Sequence, residues 1–162
     1  MISDLAGIAA QLSGTSNDLK DGIDQLDPLL AGTGRFDGFV ARDDDNAYIL
    51  RDLDVQFPAM SLRGGAELSQ AGTNTADLAF RLKDAADIDP TLQGPVTLTL
   101  VATPAPDEAT AAQMTLLGAG ANVAIDAVIA SPAQNREVTG DVTAQVASLA
   151  AFADIVGQPI TG

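Results

Sequence analysis

Cysteine, histidine and tryptophan are all absent from this chain of 162 residues. Without cysteine there is no disulfide framework and no thiolate chemistry, which suits a reduced compartment and a periplasm-like one equally. Without histidine the chain lacks the commonest general base and metal ligand near neutral pH, and much ordinary enzyme chemistry goes with it. Positive charge is scarce: 8 Lys and Arg stand against 22 Asp and Glu, a formal net charge of −14. That balance repels nucleic acid and argues against docking on anionic lipid headgroups through charge. No stretch reaches the ~18 to 20 uninterrupted apolar residues of a membrane-spanning helix. The opening "MISDLAGIAAQLSG" lacks the basic start and cleavage site of a signal peptide, so for an exported protein the signal is expected outside this chain.

What is present is apolar residue at short period. Apolar residues make up 46% of the chain, enough to bury a real core, and the length favours one domain or one segment of a larger one. Alternation with period two recurs throughout, the mark of strands with one dry and one wet face. In "LDVQFPAMSLRGGAEL", Leu53, Val55 and Phe57 point one way and Asp54 and Gln56 the other, and the rhythm resumes after Pro58 with Met60, Leu62, Ala66 and Leu68. Pro58 is expected at a bend, bulge or edge because it cannot donate to a ladder, and Gly64-Gly65 predicts a bulge. "GRFDGFVAR" and "NAYILRD" read as strands around the turn Asp43-Asp44-Asp45-Asn46. "DLAFRL", "VTLTLVA", "QMTLLG", "ANVAIDAVIA" and "EVTGDVTAQV" continue the series between turn-rich pieces such as "DAADIDPTLQGP". The pattern predicts an all-β, mainly antiparallel meander with no βαβ alternation.

Helical signals are few. "DQLDPLLAG" predicts a short helix at about 24–31, from a capping Asp24 to Gly32, with Pro28 confining it to a turn or two. A C-terminal helix is predicted at about 148–156, with Leu149, Phe152, Ile155 and Val156 on one face and Gly157 and Pro159 ending it. The N-terminal "DLAGIAAQLSG" echoes "SLAAFADIVG", pairing Leu5 with Leu149 and Ala9 with Ala153, as one period of a repeat would. Ile8, Ala10 and Leu12 also alternate, and the stretch is read as a strand.

No motif carries chemistry. "LLGAGANV" has two glycines of a dinucleotide fingerprint but Val123 where the third belongs and a strand where a helix is required, so it reads as a hairpin turn. The Asp43 to Asp45 run has Tyr48 where a calcium loop needs glycine, and reads as a solvated turn. Paired carboxylates for glycoside hydrolysis need no histidine, yet the acids here fall at strand ends and on wet faces, and six aromatics leave few rings to stack on a sugar. No nucleophile elbow, P-loop or zinc spacing is present. The reading is a non-enzyme with no catalytic residue, no metal and no cofactor.

The extended apolar face then has two readings. A closed β-sandwich core is the ordinary one, since sheets usually bury a face against another sheet. Against it stand the few aromatics and many Ala, Thr and Val, which give little volume to fill a sandwich centre, and the lack of spaced Trp or Tyr anchors.

The stretch "DLKDGIDQLDPLLAGTGRFDGFVARDDDNAYILRDLDVQFPAMSLRGGAEL" resembles the translocation and assembly module (TamB) family of Gram-negative bacteria, within the wider AsmA-like group. The matching positions are Asp18-Leu19, Gly22-Ile23, Leu26 to Gly32, Gly38, Ala41-Arg42, Arg51, Leu53, Pro58 and Leu62. The ending "DVTAQVASLAAFADIVGQPITG" is similar to that family's recurring unit closing in G-x-P-x-x-G. These are degenerate repeat patterns covering most of the chain. The resemblance implies a long, curved, taco-like β-groove with an apolar concave face, in a protein anchored in the inner membrane and crossing the periplasm. It further implies a part in phospholipid transport and outer-membrane biogenesis. Residues 1–162 would be one internal section, with the membrane anchor and the contact to an outer-membrane assembly partner lying in regions absent here. Phospholipid acyl chains and neighbouring repeats of the same protein are the expected partners. The groove lining is assigned to Val55, Phe57, Leu62, Leu68, Leu78, Phe80, Leu98, Leu100, Leu116, Val123 and Ile125, and the short helix supplies Leu26, Leu29 and Leu30 as a plug at one end or rim. The alternative function is a structural or adhesive secreted β-domain with a closed core and no lipid cargo.

Overall fold

The computed structural model describes residues 8–19, 27–43, 47–69, 74–131 and 137–147. The predicted helix at 148–156 lies outside them, as do Leu26, Asp24 and the turn residues 44–46.

Nine strands follow one another: β1 (Ala9–Asn17), β2 (Thr33–Arg42), β3 (Tyr48–Gln56), β4 (Met60–Leu68), β5 (Thr75–Leu82), β6 (Val96–Pro104), β7 (Thr110–Gly118), β8 (Ala121–Ile129) and β9 (Val138–Val146). They pair in strict sequence order, every neighbour antiparallel, in one open sheet whose outer strands are β1 and β9. The chain is thus an all-β meander forming a curved open sheet. The β-sandwich alternative does not form: among the described residues there is a single sheet, and strong strand–strand contacts run only between sequence neighbours. At ~3.3 Å per residue and ~4.8 Å between strands the sheet is about 30 Å tall and about 38 Å broad.

Two runs divide differently from the sequence reading. "NAYILRD" and the following "LDVQ" are one strand, β3, and the rhythm carried across Pro58 is that of two strands joined by a tight turn, with Phe57 N donating to Met60 O at 2.9 Å. Pairing preserves the face through a hairpin, so alternation alone cannot tell a bend from a reversal. The bulge also sits across the ladder from where the glycines suggested. β3 carries one extra residue relative to both neighbours, between Leu50 and Leu53, and Asp52 takes φ 53° there. Gly64 and Gly65 face this bulge, where backbones crowd. A Cβ on Gly64, at φ 132°, would collide with the Asp77 carbonyl oxygen.

Of the helix expected at 24–31, residues 27–30 form a single 3-10 turn (Asp27–Leu30), as Pro28 permits. The β5–β6 connection, read only as turn-rich, contains a second 3-10 turn (Ala85–Asp87) capped by Asp84, whose carboxylate accepts from Ala86 N at 3.1 Å. "LLGAGANV" forms the β7–β8 hairpin through Ala119 (φ 51°) and Gly120 (φ 76°), the two positive φ values of a type I′ turn.

The fully buried apolar cluster lies at one end of the sheet, not in its middle. Leu29 from the first 3-10 turn and Ala85 and Leu92 from the β5–β6 connection close over Leu82, against Ala59, Met60, Phe80, Val96 and Ala119. Each covering loop is tied at its base by an aspartate. Asp18 exchanges bonds with Gly32, N to O at 2.9 Å and Oδ1 from Gly32 N at 2.8 Å. Asp84 Oδ1 also accepts from Gly94 N at 2.9 Å, while Ala85 N donates to Gly94 O at 2.8 Å.

Candidate functional site

Residues paired across an antiparallel ladder share a face, so the register assigns every strand side chain to one side of the sheet. One cross-strand row reads Gly14, Phe36, Val55, Leu62, Phe80, Leu98, Leu116, Val123 and Ala144 across all nine strands. The next reads Leu12, Gly38, Leu53, Gly64, Leu78, Leu100, Met114, Ile125 and Val142. Toward the capped end lies Met60, Leu82, Val96, Gly118, Ala121 and Val146; toward the far end lies a row of small residues, Ala66, Ala76, Ala102, Ala112, Ala127 and Gly140. All eleven residues assigned to the lining fall on this face, which the alternation had already grouped.

The rows also supply residues that the sequence assignment left out. Leu53, Met114 and Val142 complete the second row, and Phe36 extends the first. Their signal was the same alternation, seen strand by strand without the register that joins the strands. The two phenyl rings on the β1 side of the face have a local fit: an added Cβ on Gly14 would meet the Phe36 ring, and one on Gly34 would meet Phe57. Glycine on the neighbouring strand leaves room for each ring to lie on the sheet.

None of the eleven is fully buried. Ten are half-buried and Leu68 is 53% exposed, and apolar side chains on the outer strands stay uncovered too, Val142 at 68%. A single layer covers one side of such residues and leaves the other open. Of the three plug residues, Leu29 is buried in the end cluster, Leu30 is half-buried, and Leu26 lies outside the described residues. Among the described residues the one charged strand residue on the apolar face is Arg42, at the end away from the cap, its guanidinium 5.5 Å from the Tyr48 ring centroid.

The opposite face carries the charge. Arg35, Asp37, Arg51, Asp54, Arg63, Asp77 and Arg81 lie on it across β2 to β5, whereas β6 to β9 present mainly Thr, Ala and Gln with Asp126 and Asp141. Asp37 and Asp54 stand directly opposite each other. A hydrogen bond from Gln56 Nε2, the largest effect, holds the Asp54 carboxyl below its ordinary value of 3.8; burial opposes it and the Arg63 side chain adds to it. Arg63 Nε reaches Asp54 Oδ1 at 3.2 Å. Among the described residues no group of three or more acidic side chains is arranged to hold a metal ion.

The fold and this face define a class: an open single-layer antiparallel sheet with one continuous apolar surface, sealed at one end. Set against protein-family models, curated proteins and solved structures, the chain matches none of them.

Proposed function

We propose that this chain is a segment of a larger protein whose apolar β-groove carries phospholipid acyl chains between membranes and so supports outer-membrane assembly. The observation that supports it most is the apolar face, nine strands wide, which among the described residues carries one charged strand residue and has no second layer packed over it. Apolar surface of that extent on a soluble face marks a binding surface. The setting in the periplasm, as part of an inner-membrane-anchored protein, rests on the sequence resemblance through Leu26 to Gly32 and the closing G-x-P-x-x-G.

The energetics ask for such a surface. Each methylene kept from water is worth about 0.8 kcal/mol, so one ~16-carbon chain entering water costs on the order of 12 kcal/mol. A groove about 30 Å tall accommodates the ~15 Å depth of one bilayer leaflet's hydrocarbon. The work requires contact area and no reacting group. The free edges of β1 and β9 suit continuation of the sheet by neighbouring repeats.

The test is mass spectrometry of lipid that co-purifies with the chain carrying its flanking repeats, compared with Leu98→Asp in the same protein. Leu98 lies mid-row and only half-buried, away from the end cluster. The expected result is bound phospholipid in the wild type, strongly reduced in Leu98→Asp, with an unchanged circular dichroism spectrum. Absence of lipid from the wild type, or unfolding of Leu98→Asp as a closed core would unfold, overturns the reading in favour of a structural or adhesive role.

A further inference from the structure

The geometry points to a second binding site, on the polar face beside the capped end, that takes a phosphate group. A depression of about 720 Å³ opens there, lined by Gln56, Ser61, Arg63, Arg81, Lys83 and Thr97 and, in equal number, by apolar residues such as Phe57 and Leu82. That volume is within the ~300 to 1,000 Å³ usual for small-molecule sites. The register places Arg81 directly between Ser61 and Thr97, with Arg63 on the diagonal, a spacing of ~7 to 8 Å. Lys83 follows two residues after Arg81, and its backbone N is fixed to Ala59 O at 2.9 Å.

The charge is what sets this site apart in a chain of net −14. Among the described residues neither the Arg81 nor the Lys83 side chain has a hydrogen bond or ion pair, and Arg63 engages Asp54 through Nε alone. Two of the nearby acids are already hydrogen-bonded. Asp54 takes Gln56 at 2.9 and 3.0 Å as well as Arg63, and Asp84 is spent on Ala86 N and Gly94 N. Three cations stand beside two hydroxyls, and among the described residues Arg81 and Lys83 have no ion-pair partner. Paired guanidinium groups match a phosphate's several oxygens, and a lysine adds a point charge. A phosphomonoester, with a charge of about −1.5 to −2, balances what the site leaves over. Arg63 and Arg81 lie on the face opposite the apolar rows, so the site stands whether or not those rows carry lipid.

The phosphate can belong to a soluble ester or to a lipid headgroup, and the experiment separates them. Isothermal titration of the intact chain with glycerol 3-phosphate reads the soluble source; co-sedimentation with phosphatidylcholine vesicles, with and without phosphatidic acid, reads the headgroup. The variants are the double Arg81→Gln, Lys83→Gln change and, as control on the same face, Arg35→Gln. All three side chains are exposed, so the fold is expected to survive. Glycerol 3-phosphate binding is expected to weaken about tenfold or more in the double variant, to hold in Arg35→Gln, and to fall with added salt. Binding to phosphatidic acid vesicles alone, lost in the same double variant, assigns the phosphate to a headgroup. Binding of either probe undiminished in the double variant, or of neither by the wild type, overturns the site.

Discussion

At one end of the sheet the chain buries leucine; at the other it buries small and polar residues. Leu29, Leu82 and Leu92 with Ala85 seal the capped end, whereas the buried residues of the far end are Ala47, Ala109, Thr110 and Ser131. The far end is held by polar bonds: Asn74 N and Nδ2 both donate to Thr110 Oγ1 at 3.3 Å, and Asp43 Oδ1 accepts from Ala47 N at 2.8 Å. The strands supply the same alternation to both ends, so the loops make the difference. One set of loops brings leucines over the apolar face. The sheet therefore has one mouth closed by packed carbon and one where the Arg42–Tyr48 pair stands.

The largest effects are expected where carbon is fully enclosed. Leu82 is 2% exposed, and Leu82→Ala is expected to cost about 2 to 5 kcal/mol, the range for a buried leucine whose cavity cannot fully collapse. Leu98, half-open on the same face, is expected to lose only about 1 kcal/mol as Leu98→Ala, in proportion to the smaller area it hides. Urea unfolding of both variants makes the comparison. Equal losses would mean that the middle of the face is as enclosed as its capped end.

A smaller effect separates the two ends through their hydrogen bonds. Asp84→Ala removes a helix-type cap and the bond to Gly94 N together, and is expected to cost about 1 to 2 kcal/mol. Thr110→Val leaves the Asn74 donors without that oxygen and is expected to cost about 1 kcal/mol. Hydrogen exchange localises each loss. Asp84→Ala is expected to speed exchange from Ala85 to Gly94 and leave Asn74 unchanged, and Thr110→Val the reverse. Exchange rising at both ends in either variant would show that the ends are not independent.

The contrast between the ends also marks what the sequence made legible. Alternation marked the strand-bearing stretches, though it cut β3 after Asp52 and ran its end into β4, and it put the eleven lining residues on one face, because side-chain direction in a strand depends only on parity. It did not locate the Pro58 reversal or the β3 bulge, since a hairpin conserves face and a bulge shifts it by one residue without changing composition. The cap was half legible. Leu29 was named from a helix-like apolar turn, but Ala85 and Leu92 sit in a connection with no period, and their burial depends on Asp84 and Gly94 closing that loop. The phosphate site was invisible for a related reason. Arg63, Arg81 and Lys83 look like ordinary wet-face residues until the register sets Arg81 between Ser61 and Thr97, with Asp54 already bonded to Gln56.

The smallest effect belongs to neither end but to the polar face between them, and it tests whether charge there matters beside the leucine cap. The Asp54 carboxyl is held below 3.8 first by Gln56 and then by Arg63. A carboxyl whose folded value is depressed stabilises the fold above its unfolded value, and that contribution disappears as pH falls through the folded value. Asp54→Asn is therefore expected to be slightly less stable than the wild type at neutral pH, with the gap closing below about pH 4. Because Asp54 is exposed enough for salt to reach Arg63, the part of the gap owed to that ion pair is expected to shrink in molar salt, while the part owed to Gln56 persists. Urea midpoints measured across this pH range at low and high salt give both quantities. A gap that stays constant down to acid pH would assign the Asp54 contribution to packing instead of charge, and would leave the leucine cap as the main determinant of stability in this half of the sheet.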